Sequence, residues 1–357
     1  MLLRSLLLCL VSLSSVYGAG DGPMILSSLP EFDQVRADAP TNGSGVRRPD
    51  GSNLDILTHQ GKETAICQVQ GILPFTDGKD LIPRRSAFED TVSMALALHH
   101  LNTGDGSVVP QLEGIHERCP IRFTMKMADT QFSEGVALQH VVDSIQSDIT
   151  KGETKPCAFL GAYRSAVSIP TSLVTGLFDY PQISGASTSA DLDDGSQFPL
   201  FGRTVPSDDG TAVPIILYLR EVLNVRHLAV INVNDAYGNA YVEGLRHAVT
   251  KYAPDMEIRQ IAYDDDGEQA TINAAVDTLV QTGFRYVFAL IFTDETHDRI
   301  MTEAYKRGAA GTGEHNWFFA DSFLGTLDRE FEKDSILAKC YRYVQNVFLE
   351  ECRSIIR

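Results

Sequence analysis

Apolar and polar positions along this chain fall into short runs whose period keeps switching. "TAICQVQGIL" (64–73) is an apolar-rich run of strand length. "AFEDTVSMALALHHLN" (87–102) repeats apolar residues at helical spacing, with Phe88, Val92 and Ala95 at i, i+4 and i+7. "IRFTMKM" predicts a strand at 121–127, "SEGVALQHVVDSI" a helix at 133–145 and "CAFLGA" a strand at 157–162. A helix follows Ser165, and "PQISGAS" (181–187) predicts another strand. After the polar, proline-containing connector "FPLFGRTVPSDDG" (198–210) the alternation resumes. It predicts helices over 212–223, 238–252, 269–283 and 295–308, with strands over 227–233, 257–263, 286–292 and 316–321.

Strands alternating with helices imply parallel sheets covered by helices on both faces, an α/β fold. Two such runs split by a connector imply two lobes, 62–204 and 205–325. Open parallel sheets bind ligands at the carboxyl ends of their strands, so residues just after strands are where function is sought.

Residues 1–20, "MLLRSLLLCLVSLSSVYGAG", place one arginine before an apolar run that ends in small residues. This predicts a secretory signal peptide and an extracellular chain. No later apolar run is long enough to span a bilayer. Residues 21–61 are rich in Gly, Pro, Ser and Asp without sustained period and predict a disordered arm. Residues 326–357 form a divergent tail.

Composition adds two constraints. A formal net charge of −17 repels phosphate backbones and excludes nucleic acid as a partner. Beyond Cys9 there remain five cysteines, Cys67, Cys119, Cys157, Cys340 and Cys352, an odd number for an oxidising compartment. Five cysteines do not dictate a connectivity. Cys119 and Cys157 each precede a strand of the first lobe and are the favoured pair, and Cys340 with Cys352 is a local pair within the tail. No CxxC or HExxH spacing supports a metal site, and no cofactor motif occurs. "NGS" at Asn42 is the only glycosylation sequon.

Ser165 lies in "GAYRSAVSIPTSL", where a strand hands over to a helix. A nucleophile elbow needs GxSxG, which the residues around Ser165 do not supply, and this argues against a catalytic serine. Helix cap and ligand anchor both stay open. A helix capped by Ser165 carries Pro170 at its fifth position, so a start at Ser168 is the alternative. In either case the backbone N–H groups near Ser165 form an anion site. Ser187, Thr188 and Ser189 follow the next strand, as an ST-turn or as ligand hydroxyls. The acidic runs at Asp191, Asp193 and Asp194 and at Asp264 miss the EF-hand spacing. "GAAGTGEHN" from Gly308 runs from helix to strand, the wrong direction for a phosphate loop.

Three segments, "GAYRSAVSIPTSLVTGLFDYPQISGASTSADL", "FGRTVPSD" and "NDAYGN", together resemble the extracellular ligand-binding region of receptors. That family includes class C G-protein-coupled receptors and natriuretic-peptide receptors. Weaker agreement runs from Glu63 to Gly325 and includes "FFADSFLG". The resemblance implies a two-lobed type I periplasmic-binding-protein fold that closes on a small amino-acid-like ligand and has no enzymatic role. Homodimerisation through lobe 1, a membrane domain in a full-length parent and residence at the cell membrane go with it. In amino-acid-sensing members it implies a carboxylate grip at Ser165 and Thr188, a hinge position at Asp208, a lobe 2 contact at Tyr237 and an ammonium partner at Asp321.

Two positions depart from the pattern. Arg164 replaces a small polar residue beside Ser165. Asp90 stands where glutamate-sensing members carry an arginine, which disfavours a dicarboxylate and favours a basic or neutral ligand. A secreted binding or decoy protein and a guanylate-cyclase-type receptor are the alternatives of the same fold.

Overall fold

The computed structural model describes residues 41–47, 53–59, 62–77, 81–119, 121–147, 154–265, 268–291, 294–320 and 335–337. The predicted signal peptide, Asp321, Cys340 and Cys352 lie outside them. The chain divides into two compact units. Unit 1 comprises Met1–Thr188 and Leu192–Pro206, and unit 2 comprises Ser189–Asp191 and Ser207–Arg357.

Unit 1 is built on a seven-stranded sheet. Its strands are β1 (Thr41–Arg47), β2 (Asn53–His59), β3 (Lys62–Leu73), β6 (Ile121–Asp129), β7 (Pro156–Gly161), β8 (Gln182–Ser184) and β9 (Phe201–Arg203); a small separate ribbon pairs β4 (Thr76–Asp77) with β5 (Ile82–Pro83). The order is β1-β2-β3-β7-β8-β9, with β6 also on β3. β3, β6, β7, β8 and β9 pair in parallel, while β1 and β2 join in antiparallel fashion. Two strands therefore occupy part of the arm predicted to be disordered. β1 is hidden by its polar composition, and β2 is hidden because its short mixed run sits in a polar arm and takes its strand form through pairing with β3. β9 is likewise carved out of the predicted connector.

The helices of unit 1 are α1 (Arg85–Thr103), α2 (Ile115–Arg118), α3 (Glu134–Ile145) and α4 (Ser165–Leu177). α1 ends at Gly104, whose left-handed φ of 68° lets its N–H close on the His100 carbonyl. Its core-facing stripe differs from the predicted one. Ala87, Leu98 and Leu101 are buried, whereas Phe88 is exposed and meets the Phe75 ring edge-on at 5.2 Å. Ile72, Val141, Phe159 and Val167 pack on one face of the sheet, while Val69, Leu160, Ile183 and Met94 pack on the other. Adjacent strand residues point to opposite faces, so Phe159 and Leu160 serve the two layers in turn.

Unit 2 carries a four-stranded, wholly parallel sheet of order β11-β10-β12-β13. Its strands are β10 (His227–Val233), β11 (Glu257–Tyr263), β12 (Tyr286–Leu290) and β13 (Asn316–Phe319). Its helices are α5 (Asp208–Leu217), α6 (Ala236–Tyr252), α7 (Gln269–Thr282) and α8 (Asp294–Lys306). Six consecutive residues of β10, Leu228 to Val233, are buried, as a strand covered on both faces requires. One continuous apolar cluster, including Ile216, Leu245, Val276, Phe288 and Trp317, fills this unit. Each unit is thus a parallel-sheet α/β layer structure, in keeping with the two-lobed fold expected from the sequence.

The disulfide pairing differs from the favoured one. Cys67 of β3 bonds to Cys157 of β7, with Cα atoms 5.4 Å apart, and Cys119 is a free thiol. β6 and β7 both pair with β3 over Gln68–Ile72, so they flank it on opposite edges. Cys119, which precedes β6, is therefore separated from Cys157 by an intervening strand, roughly twice the inter-strand spacing of about 4.8 Å and beyond disulfide reach.

Candidate functional site

In unit 1 the residues singled out from the sequence gather at the carboxyl ends of two neighbouring strands. β7 and β8 pair in parallel, Phe159 opposite Gln182 and Leu160 opposite Ile183, so the loops that follow them are neighbours. Ser165 and Arg164 come from the first loop, Ser187 and Thr188 from the second.

The turn out of β7 depends on Gly161. Its φ is +118°, and a Cβ there would lie 2.3 Å from the Ile72 carbonyl oxygen. α4 then starts at Ser165, so Ser165 is its first helical residue rather than its cap. The cap position is Arg164, which offers no side-chain acceptor, and the first turn carries no acidic residue. Pro170 lies inside the helix, and the alternative start at Ser168 does not occur. The backbone explains this: the N–H groups of Val167 and Ser168 already close on the Arg164 carbonyl at 3.0 and 2.9 Å. An uncapped, acid-free helix N-terminus of thirteen residues concentrates positive potential beside Ser165.

The hydroxyl of Ser187 is occupied. It lies 2.7 Å from Ser168 Oγ and donates to the Ala162 carbonyl at 3.2 Å, and it is fully buried. Thr188 differs: its Oγ1 is buried without a hydrogen-bond partner among the described residues. A buried hydroxyl oxygen left unpaired costs about 1–3 kcal/mol, so this atom is a natural place for a ligand group. Arg164 sets its guanidinium carbon 5.9 Å from the centroid of the Phe132 ring, and Arg84 lies 4.3 Å from the same ring. Asp90, on α1, is half-buried; burial first, and the charge of Glu89 second, push its carboxyl up to about 6.

In unit 2, Asp208 is the first residue of α5 and is buried, at the end of the helix where a carboxylate is favoured. Thr211 Oγ1 donates to the Tyr241 hydroxyl at 2.9 Å, and Tyr241 meets the Tyr237 ring edge-on at 6.1 Å. Tyr237 sits one residue into α6, whose cap Asp235 accepts from the Gly238 N–H at 2.9 Å. Gly238 has no room for a side chain: a Cβ would lie 2.0 Å from the Val233 carbonyl oxygen. Both Asp208 and Tyr237 therefore occupy helix starts, Tyr237 directly beyond the carboxyl end of β10.

The sequence reading missed the polar layer behind these loops. Gln182 donates to the Gly161 carbonyl at 3.0 Å and is itself held by Thr171 and Thr175. The polar residues Gln182 and Ser184 flanking Ile183 in this buried strand are the signal that pointed to it.

The model of the receptor family ligand-binding region matches residues 109–347, well over half of the chain. The chain belongs to this family. Among curated relatives, this ligand-binding region is 29% identical to metabotropic glutamate receptor 4 of Mus musculus over 175 residues, which is 49% of this chain and 19% of the receptor. Metabotropic glutamate receptor 6 of Oryctolagus cuniculus is 31% identical over 168 residues, 46% of the chain and 19% of that receptor. The metabotropic glutamate receptor of Drosophila melanogaster is 34% identical over 92 residues, 26% of the chain and 9% of the receptor. The chain thus spans about a fifth or less of the curated relatives it matches. The family is a receptor ligand-binding region and not an enzyme class. Among the described residues no helix is long and apolar enough to cross a membrane, and no cluster of His, Cys, Asp or Glu has the make-up of a metal site.

Proposed function

We propose that this ligand-binding region takes a small zwitterion, an amino acid or a close analogue, and serves a receptor of the class C G-protein-coupled type. In that reading a membrane domain elsewhere in a full-length parent receives the signal. Ser165 and Thr188 of unit 1 take the carboxylate, the first through its hydroxyl and the backbone N–H groups of the α4 N-terminus and the second through its own hydroxyl. The resemblance assigns Asp208 to a hinge position, Tyr237 to a lobe 2 contact and Asp321 to the ammonium. The observation that carries the reading is the pairing, on neighbouring strand ends, of an acid-free helix N-terminus with a buried Thr188 hydroxyl that has no hydrogen-bond partner among the described residues. By the resemblance, Asp90 stands where glutamate-sensing members carry an arginine, so a neutral or basic amino acid fits better than a dicarboxylate.

Titration calorimetry of the whole chain with L-serine, L-arginine and L-glutamate tests this. We expect one of the first two to bind, and Ser165→Ala and Thr188→Ala each to weaken it about tenfold or more, some 1.4 kcal/mol. Unchanged affinity in both variants overturns the site. A preference for L-glutamate overturns the part assigned to Asp90.

A further inference from the structure

We propose that Ser168, outside the residues of the site itself, is a positioning residue that ties the two ligand-gripping loops of unit 1 into one element. The inference rests on the reading of Ser165 and Thr188 given above.

Ser168 lies one turn into α4 and is fully buried. Its oxygen accepts from the Ala162 N–H at 3.0 Å, lies 2.7 Å from Ser187 Oγ and lies 3.3 Å from the Ala162 carbonyl. A serine has one proton to give, and the shorter contact takes it. Ser187 then donates to the Ala162 carbonyl at 3.2 Å. The result is a closed circuit, from the Ala162 N–H through two hydroxyls to the Ala162 C=O. The second lone pair of that carbonyl accepts Ser184 Oγ at 2.7 Å, and Ser184 in turn accepts the N–H groups of Ser187 at 2.9 Å and Ala186 at 3.2 Å.

Every polar atom of the circuit is thereby satisfied inside the protein. Ala162 belongs to the loop that leads into Ser165. Ser187 adjoins Thr188. The circuit joins the two loops through hydrogen bonds with no exposed member among Ala162, Ser168, Ser184 and Ser187, so water does not compete for them. Without the Ser168 hydroxyl the buried Ala162 N–H has no acceptor and Ser187 Oγ has no donor. The bonds of Ser184 and Ser187 to the Ala162 carbonyl still join the loops, but two bonds of the circuit are lost and the spacing between Ser165 and Thr188 is held less firmly. Thr175 supplies the contrast. It is equally buried on the same helix, but its hydroxyl reaches only the Ser172 carbonyl and Gln182.

The test compares Ser168→Ala, Ser184→Ala and Thr175→Val in the full chain. Hydrogen exchange of the 184–188 backbone is read without ligand, and the affinity for whichever of L-serine, L-arginine or L-glutamate binds the unaltered chain is read by calorimetry. We expect Ser168→Ala to speed exchange at 184–188 about tenfold and to weaken binding about tenfold. Thr175→Val lowers the melting temperature but changes neither readout. Should Ser168→Ala not fold, Ser184→Ala carries the same expectation. Exchange in the serine variants equal to that of Thr175→Val overturns the tie between the loops. Faster exchange with unchanged affinity overturns the positioning role. If none of the three amino acids binds the unaltered chain, the functional reading fails, and exchange alone decides the tie.

Discussion

The two units solve the same problem, a parallel sheet between helices, by different means. Unit 2 encloses one continuous apolar cluster around β10, β12 and their helices. Unit 1 divides its apolar side chains among smaller clusters and inserts a buried polar layer, Gln182, Thr171, Thr175, Ser168, Ser184 and Ser187, at the ends of β7 and β8. It also carries a disulfide between β3 and β7. Apolar burial is non-directional and tolerates small shifts, whereas a hydrogen-bonded layer holds only in one geometry. Precision of the loops is thus bought in unit 1 with polar contacts, while unit 2 is organised mainly for cohesion. The glycines at the strand-to-helix turns, Gly161 and Gly238, are the feature the two units share, each lying against a carbonyl oxygen at the end of a strand.

Breaking the Cys67–Cys157 bond is the strongest way to sharpen this contrast. The bond spans 90 residues, and releasing a loop of that size costs about 4.5 kcal/mol in the chain-entropy account. Under mild reduction the unit 1 transition in scanning calorimetry should fall steeply while that of unit 2 stays in place. A joint fall of both transitions breaks the contrast. Phe288→Ala probes the other side. Phe288 is fully buried in the unit 2 cluster, and its removal should lower that unit's stability by about 4 kcal/mol in urea denaturation, with unit 1 unaffected.

The smallest expected effect concerns Asp90, and it depends on pH. Its folded pKa of about 6 exceeds the ordinary 3.8, so the folded chain holds that proton more tightly than the unfolded chain. Burial therefore weighs on the charged form: unit 1 loses stability as pH rises from about 4 to 6 and is at full disadvantage above. Asp90→Asn should raise unit 1 stability by roughly 1–3 kcal/mol at pH 8 and leave it unchanged at pH 3.5, read by urea denaturation at the two pH values. Equal effects at both pH values would assign Asp90 to packing alone.

The same contrast explains what the sequence disclosed. In unit 2 the apolar pattern marks β10 and β11 at their true limits, His227–Val233 and Glu257–Tyr263, because cohesion there is apolar and leaves a period to read. In unit 1 the period serves less well. β1 is polar and β9 is short, and both, like β2 with its mixed run, exist through pairing with their neighbours, which no local pattern encodes. The bond of Cys67 to Cys157 follows from strand order, which the spacing of cysteines does not carry. For the candidate site, Ser165 and Thr188 were legible through resemblance, whereas the occupation of the Ser187 hydroxyl by Ser168 was not. The helix start at Ser165 follows from bonds to the Arg164 carbonyl, a backbone matter that side-chain preferences around Pro170 obscured.

The circuit through Ala162 has a consequence for experiment. Its hub is the backbone N–H and C=O of one residue, which belong to two successive peptide groups, and that residue's side chain is a single methyl. Conventional alanine scanning passes over such a position in silence, since the residue is alanine already, and every side-chain exchange leaves the peptide groups intact. Replacement of the 161–162 amide by an ester would register it, since that deletes the Ala162 N–H, while also weakening the Gly161 carbonyl to which Gln182 donates. A map of this protein made from side chains alone will therefore leave blank the residue whose backbone N–H and C=O carry three of its buried hydrogen bonds.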